Sequence, residues 1–255
     1  MSKAPTISLS HDLMRATDPS LLARDLGIEL DEWQRDLMNS TSRRVLLNNS
    51  RQSGKSTVCA MMAVYEVVYR APALVIMTSP SQLQSGELYK KFTSYLRALP
   101  GAPATKNESL TRLELTNGSR CVSLPGSETV RGYSGASLVL VDESARVEDS
   151  LFAAVSPMLA VTNGRLVALS TPKGKRGFWY EAWANGGDAW ERIRVTADMC
   201  PRISKEFLES ELAAHGRTRY EQEFFCAFHD DGQSVFSSDH IKRALSHSHE
   251  FELFY

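Results

Sequence analysis

The sequence predicts an α/β domain with a mostly parallel central sheet, flanked by helices and carrying an inserted β-hairpin. Three observations predict it. Short apolar runs recur at residues 44–48, 73–78, 138–141 and 165–170 with no polar alternation, the pattern of strands buried on both faces. Segments with helical spacing lie between them, as in chains that cross over a parallel sheet. Asn117-Gly118 sits between two extended runs within 113–122, the strongest short-range hairpin signal.

In chain order, residues 1–18 have weak periodicity and are expected to be a flexible, partly ordered arm. Asp18-Pro19-Ser20 opens a short helix that Gly27 ends. Asp31-Glu32-Trp33-Gln34 starts a second, with acids in the first turn where the helix dipole favours them. The strand at 44–48 leads through a turn of small and polar residues into a helix over 55–69. That helix carries an apolar stripe of Val58, Met61, Met62, Tyr65 and Val68. The second strand, 73–78, precedes an amphipathic helix over 87–99. A polar, Gly-rich loop covers 126–135. The strands at 138–141 and 165–170 follow, then a helix over 177–184 and a fifth strand at 192–195. Residues 204–228 read as helical, with Phe224, Phe225 and Phe228 forming an apolar cluster assigned to core packing.

Composition bounds the function. With 255 residues, 42% hydrophobic and 23% charged, the chain is long enough to bury a sizeable core without metals or disulfides. The formal net charge of −1 does not advertise nucleic-acid binding, so any such contact must come from a local patch. Cys59, Cys121, Cys200 and Cys226 form no CxxC pair, so neither a zinc nor a redox motif is indicated, and free thiols are expected. No apolar run suffices to span a membrane, and Met1-Ser2-Lys3-Ala4-Pro5 lacks the apolar region of a leader. A cytosolic protein is expected.

Residues 49–57 read Asn49-Ser50-Arg51-Gln52-Ser53-Gly54-Lys55-Ser56-Thr57. The phosphate-binding pattern G-x-x-x-x-G-K-[ST] is met except that Asn49 replaces the first glycine. Asn tolerates left-handed backbone angles better than most residues, so the tight loop is expected to survive. Successive N–H groups of such a loop form an anion nest, and the helix beginning near Lys55 adds its positive dipole end. Lys55 supplies a cation for β- and γ-phosphates, and the Ser56 hydroxyl a ligand for Mg²⁺. A chance Gly-Lys-Ser is common, but a buried strand before it and a helix after it are the context the motif needs. Arg51 either reaches the γ-phosphate or is a solvent-exposed loop arginine, and the first reading is preferred.

The strand at 138–141 ends in Asp142-Glu143. Carboxylates at a buried strand end are costly unless cations pair with them, which suggests a metal site. Asp142 is assigned to the Mg²⁺ shell and Glu143 to orienting and deprotonating the attacking water. With the upstream loop, the pair predicts a P-loop NTPase of the ASCE type that hydrolyses Mg-ATP. Gln34, ahead of the P-loop strand, has the amide donor and acceptor to read an adenine edge; an exposed helical Gln is the other reading. Ser170-Thr171-Pro172, after the next strand, places small hydroxyls where a γ-phosphate is sensed and passed to the following loop.

The ordered set of Gln34, the loop at 51–56, Val130-Arg131-Gly132, Asp142-Glu143 and Ser170-Thr171-Pro172-Lys173-Gly174 followed by Phe178-Trp179-Tyr180 resembles the large subunit of bacteriophage DNA-packaging terminases. The likeness covers about residues 25–240. It implies ATP-driven movement of double-stranded DNA into a capsid, by a ring of subunits in the host cytoplasm, with the capsid portal and the small terminase subunit as partners. It implies that Arg131 is an arginine finger reaching into a neighbouring subunit, although a plain loop arginine is the other reading. It assigns Ser170, Thr171 and Pro172 to coupling. The run from Glu223-Phe224-Phe225 to Gln233-Ser234-Val235-Phe236 resembles the join between the family's ATPase and nuclease domains. The expected organisation is thus an arm at 1–18, an ATPase domain at 19–235 and a linker start at 236–255, with no DNA cleavage by this chain. Two other classes compete. A helicase-like or remodelling ATPase needs a second motor domain after the coupling motif. A non-motor nucleotide-dependent assembly module needs no Glu143.

Overall fold

The computed structural model describes residues 7–125 and 132–230. Among them eight strands form one sheet in the order β3-β4-β5-β2-β6-β7-β1-β8. The strands are β1 Arg44–Asn49, β2 Leu74–Ser79, β3 Thr105–Glu108, β4 Arg112–Leu115, β5 Arg120–Pro125, β6 Leu138–Asp142, β7 Arg165–Ser170 and β8 Glu191–Val195. From β5 to β8 every neighbouring pair is parallel. β4 runs antiparallel to both of its neighbours, β3 and β5.

The helices are α1 Leu9–Thr17, α2 Leu21–Asp25, α3 Glu32–Asn39, α4 Lys55–Tyr69, α5 Gln82–Ala98, α6 Asp149–Ala160, α7 Gly177–Asn185, α8 Lys205–His215 and α9 Arg217–Phe225. Alternate strand residues face opposite sides of a sheet, and here both sides are covered. Val45, Leu47, Val75, Met77, Leu138, Leu140, Val167 and Leu169 pack towards α3, α4 and α5. Leu46, Ile76, Val139, Val141, Leu166 and Ala168 pack with α6 and α7 residues such as Phe152, Val155 and Trp179. That double cover is why the strands read as unbroken apolar runs. The buried set on α4 is wider than the predicted stripe. Cys59, Ala60, Ala63, Val64 and Val67 are buried too, while Tyr65 and Val68 are only partly so.

The hairpin turns at Asn117-Gly118 as expected, with Gly118 at φ +84°. The inserted hairpin is continuous with the main sheet, because β5 pairs in parallel with β2, and β3 beyond β4 forms the sheet edge. α5 starts five residues before the expected point, where Ser81 caps it by accepting from the Gln84 N–H.

The expected arm is only partly an arm. Residues 9–17 form α1, and its Arg15 is almost fully buried, donating to Asp25 (2.6 Å) and to the Pro100 carbonyl (2.8 Å). Nor do the three phenylalanines form one cluster. Phe224 packs with Phe207 and Tyr220, whereas Phe228 packs with Tyr180 and Trp183. α9 ends at Phe225, and its C-cap Cys226 takes a left-handed φ of +57°, so the chain turns away between Phe224 and Phe228.

All four cysteines are free and buried. Burial pushes each thiol above its ordinary range, Cys226 to about 12. Among the described residues no helix is long and apolar enough to cross a membrane. Arg131, Val130, residues 126–129 and everything from 231 onward, including the expected linker, lie outside the described residues.

Candidate active site

Strand register decides which residues meet. β1 pairs with β7 so that Asn48 lies beside Ser170, and β7 pairs with β6 so that Leu169 lies beside Asp142. Three adjacent parallel strands therefore end together, at the carboxyl edge where ligands of such sheets bind.

From β1 the chain enters the loop at 50–54. The tight loop survives with Asn49 in place of the first glycine, and Asn49 itself takes no left-handed conformation. Asn49 stays in the strand, held by pairing with Val195, and the Ser50 N–H continues the ladder to the Val195 carbonyl (2.8 Å). The left-handed residues are Gln52 (φ +58°) and Gly54 (φ +93°). The fully buried Asn49 side chain instead braces the loop from inside, donating to Ser53 Oγ (2.7 Å) and to the Ser50 carbonyl (3.2 Å). A glycine could make neither bond.

Two further contacts fix the outer side of the loop. Gln34 is buried, not exposed. Its Oε1 accepts from the Asp31 N–H (2.9 Å), capping α3, and its Nε2 donates to the Gly54 carbonyl (3.3 Å). Reading an adenine edge would require exchanging these bonds. Arg202 forms a bidentate pair with Asp31 (2.8 and 2.6 Å) and donates to the Ser53 carbonyl (3.1 Å).

α4 begins at Lys55, with Gly54 as its N-cap. The Lys55 ammonium donates to Glu143 Oε1 and lies 3.8 Å from Asp142 Oδ1. The P-loop lysine and the two predicted acids thus form one cluster. Burial pushes the Asp142 carboxyl above its ordinary range, and the Lys55 charge partly offsets this. Glu143 sits at φ +52°, with its N–H donating to Asp142 Oδ1 (2.9 Å). For a non-glycine residue that conformation costs roughly 1–2 kcal/mol, and it turns the Glu143 side chain back over the strand ends towards Lys55.

Ser56 and Thr57 hydroxyls both accept from Lys91 of α5, at 2.9 and 3.3 Å. The Ser56 hydroxyl and the Asp142 carboxylate are hard oxygen donors, the kind Mg²⁺ takes one or two of while keeping waters and phosphate oxygens. Among the described residues no group of three or more His, Cys, Asp or Glu is placed to hold a metal without such help. The donor set therefore fits Mg²⁺ arriving with a nucleotide.

At the end of β7, Ser170 Oγ is buried without a hydrogen-bond partner. The Thr171 hydroxyl accepts from Arg146 Nη1 (3.1 Å), and Pro172 is buried beside it. Arg146 also donates to Glu143 Oε2 (2.6 Å) and lies 3.8 Å from Glu223 Oε1. Arg51 is half-exposed and ion-paired with Glu223 (2.8 Å), while its N–H donates to the Glu223 carbonyl (2.9 Å).

The fold thus brings together Gln34, Arg51, Gln52, Ser53, Gly54, Lys55, Ser56, Thr57, Asp142, Glu143, Ser170, Thr171 and Pro172. Sequence reading missed Lys91, Arg146, Arg202 and the role of Glu223. Only Arg146 carried a usable signal, its i,i+3 spacing from Glu143.

The family model described as "Terminase large subunit, T4likevirus-type, N-terminal" matches residues 46–243. The terminase large subunits of Thermus virus P23-45 and Thermus phage G20c are each 29% identical over 174 residues, covering 60% of this chain and 36% of theirs. The chain spans about a third of the length of these curated relatives. The large terminase ATPase domain of Thermus phage P74-26 superimposes with a TM-score of 0.69 at 22% identity, covering 81% of this chain and 97% of that one. The large terminase of another thermophilic bacteriophage, solved in complex with ADP, gives 0.65 at 13% identity over 78% of this chain and 54% of that one. With a family model matched across most of its length, this chain belongs to the terminase large-subunit family, in the T4likevirus-type N-terminal region.

Proposed function

We propose that this chain hydrolyses Mg-ATP and that hydrolysis drives double-stranded DNA into a viral capsid. The observation that carries the reading is the single cluster of Lys55, Asp142 and Glu143 at the ends of adjacent strands, beside the P-loop. In this reading the loop N–H groups and Lys55 bind the β- and γ-phosphates. Ser56 and Asp142 hold Mg²⁺, which when bound neutralises charge developing on the phosphate oxygens. Lys55 then exchanges Glu143 for phosphate, and Glu143 orients and deprotonates the attacking water. Gln34, Arg51, Gln52, Ser53, Gly54 and Thr57 complete the nucleotide-binding set, with Gln34 acting through the loop backbone. Ser170, Thr171 and Pro172 pass the γ-phosphate state on, Thr171 through its bond from Arg146.

Arg131 is proposed, from the family resemblance, as the finger supplied to a neighbouring subunit of a ring. Arginine fingers contribute on the order of 10³–10⁵ in rate. Double-stranded DNA, the capsid portal and the small terminase subunit are the proposed partners.

The test is steady-state ATP hydrolysis over a wide protein concentration range for wild type, Glu143→Gln and Arg131→Ala. Wild-type turnover per subunit is expected to climb steeply with concentration, and both variants to stay near zero. Flat wild-type turnover with an active Arg131→Ala would remove the finger. Full activity in Glu143→Gln would remove the catalytic base, while Glu143→Gln is expected to keep nucleotide binding.

A further inference from the structure

Glu223, on α9, is distant in sequence from every motif of the site, yet it is buried and faces two of them. Its Oε2 accepts from Arg51 Nε of the P-loop (2.8 Å), and its Oε1 lies 3.8 Å from Arg146 Nη2. Arg146 in turn holds Glu143 (2.6 Å) and the Thr171 hydroxyl (3.1 Å). Charges therefore alternate along one chain of contacts: Lys55, Glu143, Arg146, Glu223, Arg51. Arg51 lies in the loop and Lys55 four residues on, at the first position of α4, which brings the chain of contacts back to the P-loop.

A carboxylate so poorly exposed needs cations around it, and the guanidinium fork of Arg146 has a fixed geometry. The position of Arg146 between Glu143 and Thr171 is thus set in part by where Glu223 stands. This matters most when the Lys55 ammonium leaves Glu143 for a phosphate. Arg146 is then the cation left to fix the Glu143 side chain against its water.

We propose that Glu223 is a positioning residue for hydrolysis, acting on Glu143 through Arg146. The proposal rests on the ATPase reading above. It assigns no contact between Glu223 and the nucleotide. Losing Glu223 lets the Arg146 guanidinium swing wholly onto Glu143, so the carboxylate is held as a salt-bridge partner instead of a base. Chemistry slows while nucleotide binding persists.

The experiment is a double-mutant cycle in ATP hydrolysis at one protein concentration at which wild type turns over, with KM and kcat separated. The proteins are wild type, Glu223→Ala, Glu223→Gln, Glu223→Asp, Arg146→Ala and Arg146→Ala/Glu223→Ala. Glu223→Ala is expected to lower kcat by roughly 10- to 100-fold, less than the roughly 10²–10⁴-fold of losing general base catalysis outright, with KM moving less than about threefold. Glu223→Asp should recover part of the loss. In the Arg146→Ala background the Glu223 substitution should cost nothing further, because residues acting through one another are non-additive. Glu223→Gln preserves shape and serves if the alanine variant unfolds.

Equal losses in both backgrounds would overturn the proposal, as would a rise in KM alone, which would place Glu223 on the phosphates through Arg51. A wild type without turnover at any concentration would overturn the ATPase reading as well. A turning-over wild type with fully active Arg146→Ala overturns this proposal alone.

Discussion

Gly54→Ala is a severe change whose cost can be worked out from two separate sources. Gly54 sits at φ +93°, where an alanine is strained by roughly 1–2 kcal/mol. An added Cβ would also stand 2.6 Å from Gln34 Nε2 and 3.3 Å from Arg202 Nη2. The arginine end can move aside, since about half its side chain is in solvent. Gln34 cannot move cheaply. It is buried, caps α3 and donates to the Gly54 carbonyl, so displacing its amide forfeits up to two hydrogen bonds at about 1 kcal/mol each. The sum is about 3–4 kcal/mol, a large share of a typical domain's stability. Urea unfolding followed by tryptophan fluorescence would measure it. Gln34→Ala/Gly54→Ala separates the two sources: the double variant should cost about 1–2 kcal/mol less than the sum of the single ones, because Gln34→Ala removes the clash but not the strain. Strict additivity, or a Gly54→Ala protein as stable as wild type, would refute the reasoning.

Three other outcomes are expected. Arg15→Ala should destabilise by about 3 kcal/mol in urea unfolding, because it leaves the Asp25 carboxylate with His11 alone. Burial pushes Asp25 up, but hydrogen bonds from His11 and Arg15 outweigh it and hold the carboxyl below its ordinary range. A lowered folded value means stability present above the unfolded pKa and lost as pH falls through the folded one, so the wild-type advantage should shrink on acidification. Glu66 behaves oppositely: burial raises it despite Ser137, Arg70 and Arg165. Its favourable contribution is present below the unfolded pKa and is lost as pH rises through the folded one. Glu66→Gln should accordingly leave the protein equally or more stable at pH 7, with the difference vanishing near pH 4, as thermal unfolding at both pH values would show. Lys91→Met removes a cation from the Ser56 and Thr57 hydroxyls. It should lower the Mg²⁺ concentration for half-maximal hydrolysis by about threefold, or roughly 0.7 kcal/mol.

Much of the fold was legible because burial on both faces leaves its mark on each strand separately. β1, β2, β6 and β7 could be read one at a time, and so could the loop after β1, where the chemistry demands neighbouring residues. What escaped depends on partners elsewhere in the chain. β3 is exposed along its whole length, so nothing apolar announces it; pairing with β4 makes it a strand. α1 is anchored by an arginine whose partners are Asp25 and the Pro100 carbonyl. α6 carries Pro157 inside it, which argues for a break when read locally. Lys91, Arg202 and Glu223 look like ordinary solvated charges on helices or loops until the sheet brings them to the strand ends. The conformation of Asn49 escapes for a related reason: it is set by Val195, far along the chain.

The state of the four cysteines has a practical side. Each thiol is enclosed and held in its unreactive protonated form at neutral pH. The native protein should therefore be nearly blank to maleimide dyes. A single cysteine introduced at an open position such as Leu110, which is 90% exposed, would be the one fast-labelling site. Fluorophores could then be placed at chosen points without first stripping the natural thiols from the core, where Cys59 and Cys121 fill space that serine would fill badly. Movements between the β3–β4 connection and the strand ends would become visible in an otherwise unaltered molecule.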